Sequence, residues 1–170
     1  MAAQCDTERS KKKSLINPLW TWSLSVYAKP NVAPTLLALQ QQYEADVLVV
    51  LTALWLYRQQ RDWPEGFADS LAGKAYAQWR QERILPARAE RMALTKDTPE
   101  RQQALARELE AEQYGMALLW QGLSGTTGDE TTSLTDVSLG LACCPWSLGR
   151  VALEAEALWQ QLLRLTADGG

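Results

Sequence analysis

The sequence predicts an all-α fold, a single-domain bundle of six or seven helices around a central apolar helix, on three observations. Residues 47–57 form an apolar run whose only polar member is Thr52, bounded by Asp46 and Arg58. A helix that is apolar on every side belongs in an interior, and this run is about half the roughly 20 residues that a membrane helix needs. On either side of it apolar residues recur at spacings of three and four, the period of helices with one buried face. Capping residues and prolines punctuate these stripes where helices start. No run argues for a sheet, apart from the β-branched opening of residues 47–51, where length decides for helix.

The first helix starts at Asn17-Pro18, a capping residue followed by the proline favoured at the first helical position, and stops before Lys29-Pro30. Trp20, Leu24 and Tyr27 are expected on its buried face. Val32, Leu36, Leu39 and Tyr43 form the stripe of the second helix, which ends near Glu44, and Asp46 caps the central one. Asp62-Trp63-Pro64-Glu65 is the expected start of the fourth helix, its carboxylates lying in the positive end of the dipole. Phe67, Leu71, Ala75 and Trp79 then make a stripe, and Pro86 must kink this helix or open another. Thr98-Pro99-Glu100 starts the longest helix, lined by Leu105, Leu109, Met116, Leu119, Trp120 and Leu123 as far as Gly122 or Gly125. Val151, Ala155, Leu158, Leu162 and Leu165 predict a C-terminal helix. The expected organisation is a disordered polar arm at 1–16, a helical domain at 17–124, a mobile loop at 125–142 too polar to order itself, and a C-terminal helix within 143–170 that packs on the domain.

Composition narrows the function. Among 170 residues there are eight tryptophans, one phenylalanine and no histidine. Without imidazole, a Ser-His-Asp triad, a Cys-His pair and His-based zinc sites are excluded. A net charge of −3 disfavours nucleic acid as a partner. The cysteines, Cys5 and the adjacent Cys143 and Cys144, fit neither a disulfide framework nor a zinc knuckle. Lys11, Lys12 and Lys13 have no apolar run behind them, so no signal peptide is read. A cytoplasmic protein with no transmembrane segment, no cofactor and no metal is expected.

Glu112 is the sharpest local anomaly. The series 105, 109, 116, 119, 123 has its missing step there, which aims a carboxylate at the interior, where an unpaired charge costs several kcal/mol. Arg88 and Arg91, on a segment joined to the long helix by a short turn, are the expected partners. With Glu108 they read first as a buried ion pair that sets helix register. The alternative is an anion pocket in which the arginines hold a carboxylate or phosphate and Glu108 or Glu112 acts as acid or base.

Trp55, Trp79 and Trp120 read as core. Trp22 lies about 200° round from Trp20 and is expected to be exposed; with Trp63 it is a candidate anchor for a partner. Arg80, Arg83, Arg88, Arg91 and Lys96 beside Trp79 have a composition that suits a nucleic-acid backbone, although Glu82 and Glu90 favour a solvated face. Cys143-Cys144-Pro145 reads as buried small residues rather than a redox site.

The run Leu19-Trp20-Thr21-Trp22-Ser23-Leu24-Ser25-Val26-Tyr27-Ala28-Lys29-Pro30-Asn31-Val32, followed by Leu39-Gln40 and by Asp46-Val47 opening the apolar helix to Trp55, resembles a family of small bacterial helical proteins defined by a domain of unknown function. Its N-terminal motif reads W-x-W/F-S-x-x-x-Y-A-x-P-x-V. The resemblance continues more weakly through Trp79, residues 86–91 and residues 108–112, covering about 17 to 123. Leu48 and Ala87 stand where the family tends to carry a polar residue and a leucine. The resemblance implies a helical, soluble bacterial protein and supplies no reaction. By elimination, the expected function is non-enzymatic binding of another macromolecule, a protein, through the Trp22 and Trp63 region or the arginine segment. The alternative is a small enzyme or ligand-binding protein built on Arg88, Arg91, Glu108 and Glu112, and the third reading is weak nucleic-acid binding.

Overall fold

The computed structural model describes residues 15–61, 63–124 and 153–167, and every regular element among them is a helix. These residues form two compact groups, residues 21–65 with 153–167, and residues 15–20 with 66–124. The expected loop at 125–142, and Cys5, Cys143, Cys144 and Val151, lie outside the described residues, as does the arm before Leu15.

Helix α1 (Pro18–Tyr27), whose residues 18–20 fall in the second group and 21–27 in the first, begins as expected, with the Asn17 side chain accepting the Trp20 N–H at 2.9 Å. Its buried face is Leu19, Ser23 and Val26, whereas Leu24 and Tyr27 are exposed. The expected face was wrong because α1 is apolar nearly all round, so its pattern does not define a phase. Helix α2 (Val32–Tyr43) buries Val32, Leu36 and Leu39 as the stripe requires. Helix α3 (Val47–Arg58) is capped by Asp46, which accepts the Leu48 N–H at 3.1 Å. Every residue of 48–56 is buried, and Thr52 satisfies its hydroxyl by donating to the Leu48 carbonyl at 2.7 Å.

Arg58 at the end of α3 donates to the Leu163 carbonyl at 2.6 Å and to Thr166 Oγ1 at 3.2 Å. That places a cation at the C-terminus of α7 (Leu153–Leu165), where the helix dipole favours it. Helix α7 buries Ala155 and Leu162 as expected. Trp159 and Leu163, rather than Leu158 and Leu165, complete its buried face.

In the second group, a 3-10 turn (Phe67–Asp69) leads into α4 (Leu71–Trp79), a π-helical turn (Arg80–Ile84), α5 (Leu85–Ala93) and α6 (Pro99–Ser124). The helix expected from Asp62 starts later, and Asp62 itself is outside the described residues. Gly66 takes a left-handed φ of 65°, and the cap is Ser70, whose Oγ accepts the Gly73 N–H at 3.0 Å. Phe67 is buried, but Leu71, beside that cap, is 89% exposed. Pro86 leaves the rod unbroken and stands in the first turn of α5, the place of a proline that opens a helix. The Leu85 N–H reaches the Arg80 carbonyl across a widened turn, which eases the clash a proline ring makes with the carbonyl four residues earlier.

Helix α6 is capped by Thr98, which accepts the Arg101 N–H at 3.3 Å, and it packs along α4, the π turn and α5. Its buried face is Ala104, Glu108, Ala111, Gly115, Met116, Leu119 and Leu123. Leu105 and Leu109, expected to line it, are exposed. Small residues occupy the contact because they let helix backbones approach closely, and large leucines at 105 and 109 would hold them apart.

A Cβ added at Gly73 would overlap the Phe67 carbonyl oxygen and stand 3.0 Å from backbone atoms of Ala68. One added at Gly122 would meet the Phe67 ring and lie 2.9 Å from the Ala72 Cβ. Gly73→Ala should therefore lower stability by about 1–3 kcal/mol, because backbone cannot move aside, in spite of a gain of about 1 kcal/mol in helix propensity. Gly122→Ala should cost less, since a ring can turn. Urea unfolding midpoints test the ranking, and a stabilised Gly73→Ala variant would contradict this packing.

Candidate functional site

Helix α5 carries Arg88 and Arg91 three residues apart, and α6 carries Glu108 and Glu112 four apart, so each pair lies on one helix face. The structure brings all four together. Arg88 Nε donates to Glu108 Oε1 at 3.0 Å and Arg88 Nη2 to Glu112 Oε1 at 2.8 Å. Arg91 Nε donates to Glu108 Oε2, and Arg91 Nη2 to Glu108 Oε1 at 3.3 Å. The inward carboxylate is thus Glu108, with a side chain 5% exposed, while Glu112 sits at the margin at 22%. The expected arginine partners are present, but the helix phase is set by Ala104, Ala111 and Gly115 rather than by the leucines.

Burial lowers the Arg88 pKa, but its hydrogen bonds to Glu108 and Glu112 and their charges more than reverse this, leaving it above the ordinary arginine value. The hydrogen bond from Arg91 to Glu108 likewise raises the Arg91 pKa, against its burial and the repulsion of Arg88. A guanidinium whose folded pKa is raised contributes stability that is fully present below its unfolded pKa, so both act at every working pH. Arg101 adds a further restraint by donating to the Arg91 and Leu94 carbonyls, both at 2.8 Å, at the end of α5. Two cations and two anions engage one another here. That arrangement fixes α5 on α6 and directs its guanidinium N–H groups at protein carboxylates.

A second feature lies on the same helices, a groove of about 550 Å³. One wall is Trp79, Arg83, Pro86 and Glu90, spaced four, three and four apart; the other is Arg107, Glu110 and Tyr114, spaced three and four apart; Leu15 also lines it. Trp79 and Tyr114 rings lie 4.2 Å apart between centroids, tilted by 40°. The Trp79 indole N–H donates to the Ala111 carbonyl at 2.8 Å, which fixes the ring, and the Arg83 guanidinium stands 5.4 Å above it. Arg107 and Glu90 pair at 2.5 Å, each about half exposed. Glu82, also on the lining, accepts the Gln78 amide at 3.0 Å.

Sequence reasoning placed Trp79 in the core and missed Tyr114, Arg107 and Glu110. Their signal was a pair of helical stripes mixing aromatic and charged residues. Trp22 and Trp63 belong to the other group of helices, where both are half-buried rather than exposed. Among the described residues, no three His, Cys, Asp or Glu stand together as a metal site requires, and no helix is long and apolar enough to cross a membrane.

Removing Glu108 leaves Arg91 without its carboxylate and Arg88 with Glu112 alone. Glu108→Ala should cost about 3–5 kcal/mol, the range for breaking a buried pair, and Glu90→Ala, at an exposed pair, about 0–1 kcal/mol. Equal losses in chemical unfolding would contradict the burial described.

The family model for a protein of unknown function (DUF2390) matches residues 18–119, a span that holds the four-residue cluster and both walls of the groove. No curated protein and no solved structure matches the chain. On the extent of the family match, the chain belongs to the DUF2390 family of proteins of unknown function.

Proposed function

We propose that this protein is a non-enzymatic helical module that binds another protein, and that the face it uses is the groove over Trp79 and Tyr114. The observation that carries this reading is an aromatic pair held between two charged helical stripes. Aromatic residues and arginine are the side chains that anchor interfaces, and the volume falls among ligand-sized clefts of about 300–1,000 Å³. Arg83, Pro86 and Glu90 extend the arginine segment that the sequence marks as a contact surface. Among the described residues, no serine, threonine or cysteine lines the groove, which favours binding over nucleophilic chemistry. Three carboxylates, Glu82, Glu90 and Glu110, against Arg83 and Arg107 favour a protein partner over nucleic acid.

Trp22 and Trp63 are the alternative anchors, half-buried as Trp79 is. The anion-pocket reading is weaker, because the arginines of that cluster are engaged by Glu108 and Glu112. A cytoplasmic bacterial setting fits the unpaired spacing of the cysteines and the motif read above.

A photo-crosslinking amino acid in place of Gln113, at the groove, tests the reading in the cells that make the protein. It should give a discrete protein adduct that Tyr114→Ala abolishes, and the same label in place of the exposed Gln103 should give none. Equal adducts from both positions, or adducts indifferent to Tyr114→Ala, would move the contact surface elsewhere.

A further inference from the structure

We propose that the groove also receives the chain's own N-terminal lysines, so that Lys11, Lys12 and Lys13 dock in cis against Glu82 and Glu110 and compete there with the partner. The inference rests on the groove being the binding face.

Connectivity is the first support. Leu15 lines the groove, and a chain spans at most about 3.3–3.6 Å per residue, which keeps the Lys13 Cα within about 7 Å of the Leu15 Cα and that of Lys11 within about 14 Å. Each lysine adds a flexible four-carbon stem that ends in a point charge. The rim is therefore within reach of the three ammonium groups.

Charge is the second support. Of the three carboxylates among the described lining residues, Glu90 is paired with Arg107, while the partner that Glu82 finds among the described residues is the neutral Gln78 amide. Glu110 makes no ion pair with a described residue. Of the two guanidiniums, Arg107 is engaged by Glu90 and Arg83 stands over Trp79. The acceptors left over are carboxylates, and the segment tethered beside them is cationic. Exposed ion pairs are individually weak, but a short tether makes the encounter intramolecular, at an effective concentration on the order of millimolar.

The test uses the full chain with Cys5→Ser, Cys143→Ser and Cys144→Ser, carrying a nitroxide on Ser10→Cys. Paramagnetic broadening is read at the Trp79 indole and at the Glu110, Gln113 and Tyr114 amides, and an unchanged amide spectrum elsewhere confirms folding. Docking predicts several-fold stronger broadening of these signals than the tether alone gives, the share of the tether being what remains with Lys11→Glu, Lys12→Glu and Lys13→Glu. The signals should recover with Lys11→Glu, Lys12→Glu and Lys13→Glu, and broaden again when Glu82→Lys and Glu110→Lys are added. Raising the salt to about 0.5 M, where the Debye length falls to a few ångströms, should also restore them. Broadening that ignores charge reversal and salt would reflect tethering alone and overturn the proposal, as would its absence. In either of those cases, a Gln113 adduct that still depends on Tyr114 leaves the groove a partner site with no occupant in cis. Loss of that dependence removes the binding reading itself.

Discussion

A buried carboxylate shared by two guanidiniums is the constraint on which the α4 to α6 region depends. Helix α5 buries none of its own residues, so apolar contact alone gives it little reason to lie on α6. Glu108 supplies the reason, because Arg88 and Arg91 both reach it and Arg88 continues to Glu112. Each charge would be costly without the others. A register of α5 on α6 that separated them would therefore be disfavoured.

The groove inherits that constraint. Pro86 and Glu90 are carried by α5, while Arg107, Glu110 and Tyr114 are carried by α6, so the width between them follows from how the two helices are pinned. At the other end, Phe67 folds against Gly73 and Gly122, and the Trp79 indole bonds to the Ala111 backbone. Between these ends the π turn absorbs Pro86 without breaking the rod. An aromatic floor is thus held by backbone and buried charge, the preorganisation that the proposed binding face calls for.

Much of the fold was legible in the sequence because caps and all-round burial leave unambiguous marks. Asn17, Asp46 and Thr98 each begin a helix where a side-chain oxygen can accept a free N–H. The run at 47–57 could only be interior. Phase was harder to read. On α1 apolar residues fall on every side, so Leu24 and Tyr27 looked no less buried than Leu19 and Val26. On α6 the contact face is made of Ala104, Ala111 and Gly115, which carry a weak hydrophobic signal, and the larger Leu105 and Leu109 drew the stripe onto the wrong side. That rotation is why Glu112 looked like the inward carboxylate. The arginine partners survived the error because Glu108 and Glu112 lie one turn apart and Arg88 reaches both. The groove escaped notice because Trp79 was assigned to the core and its neighbours to a solvated face.

Native-state amide hydrogen exchange on Glu108→Gln tests the account most directly. If the shared carboxylate pins α5, amides of Leu85–Ala93 should lose protection by at least about tenfold as a local opening, while those of α3 keep theirs. Protection in α5 that stays unchanged, or that falls only in step with the whole molecule, would contradict it.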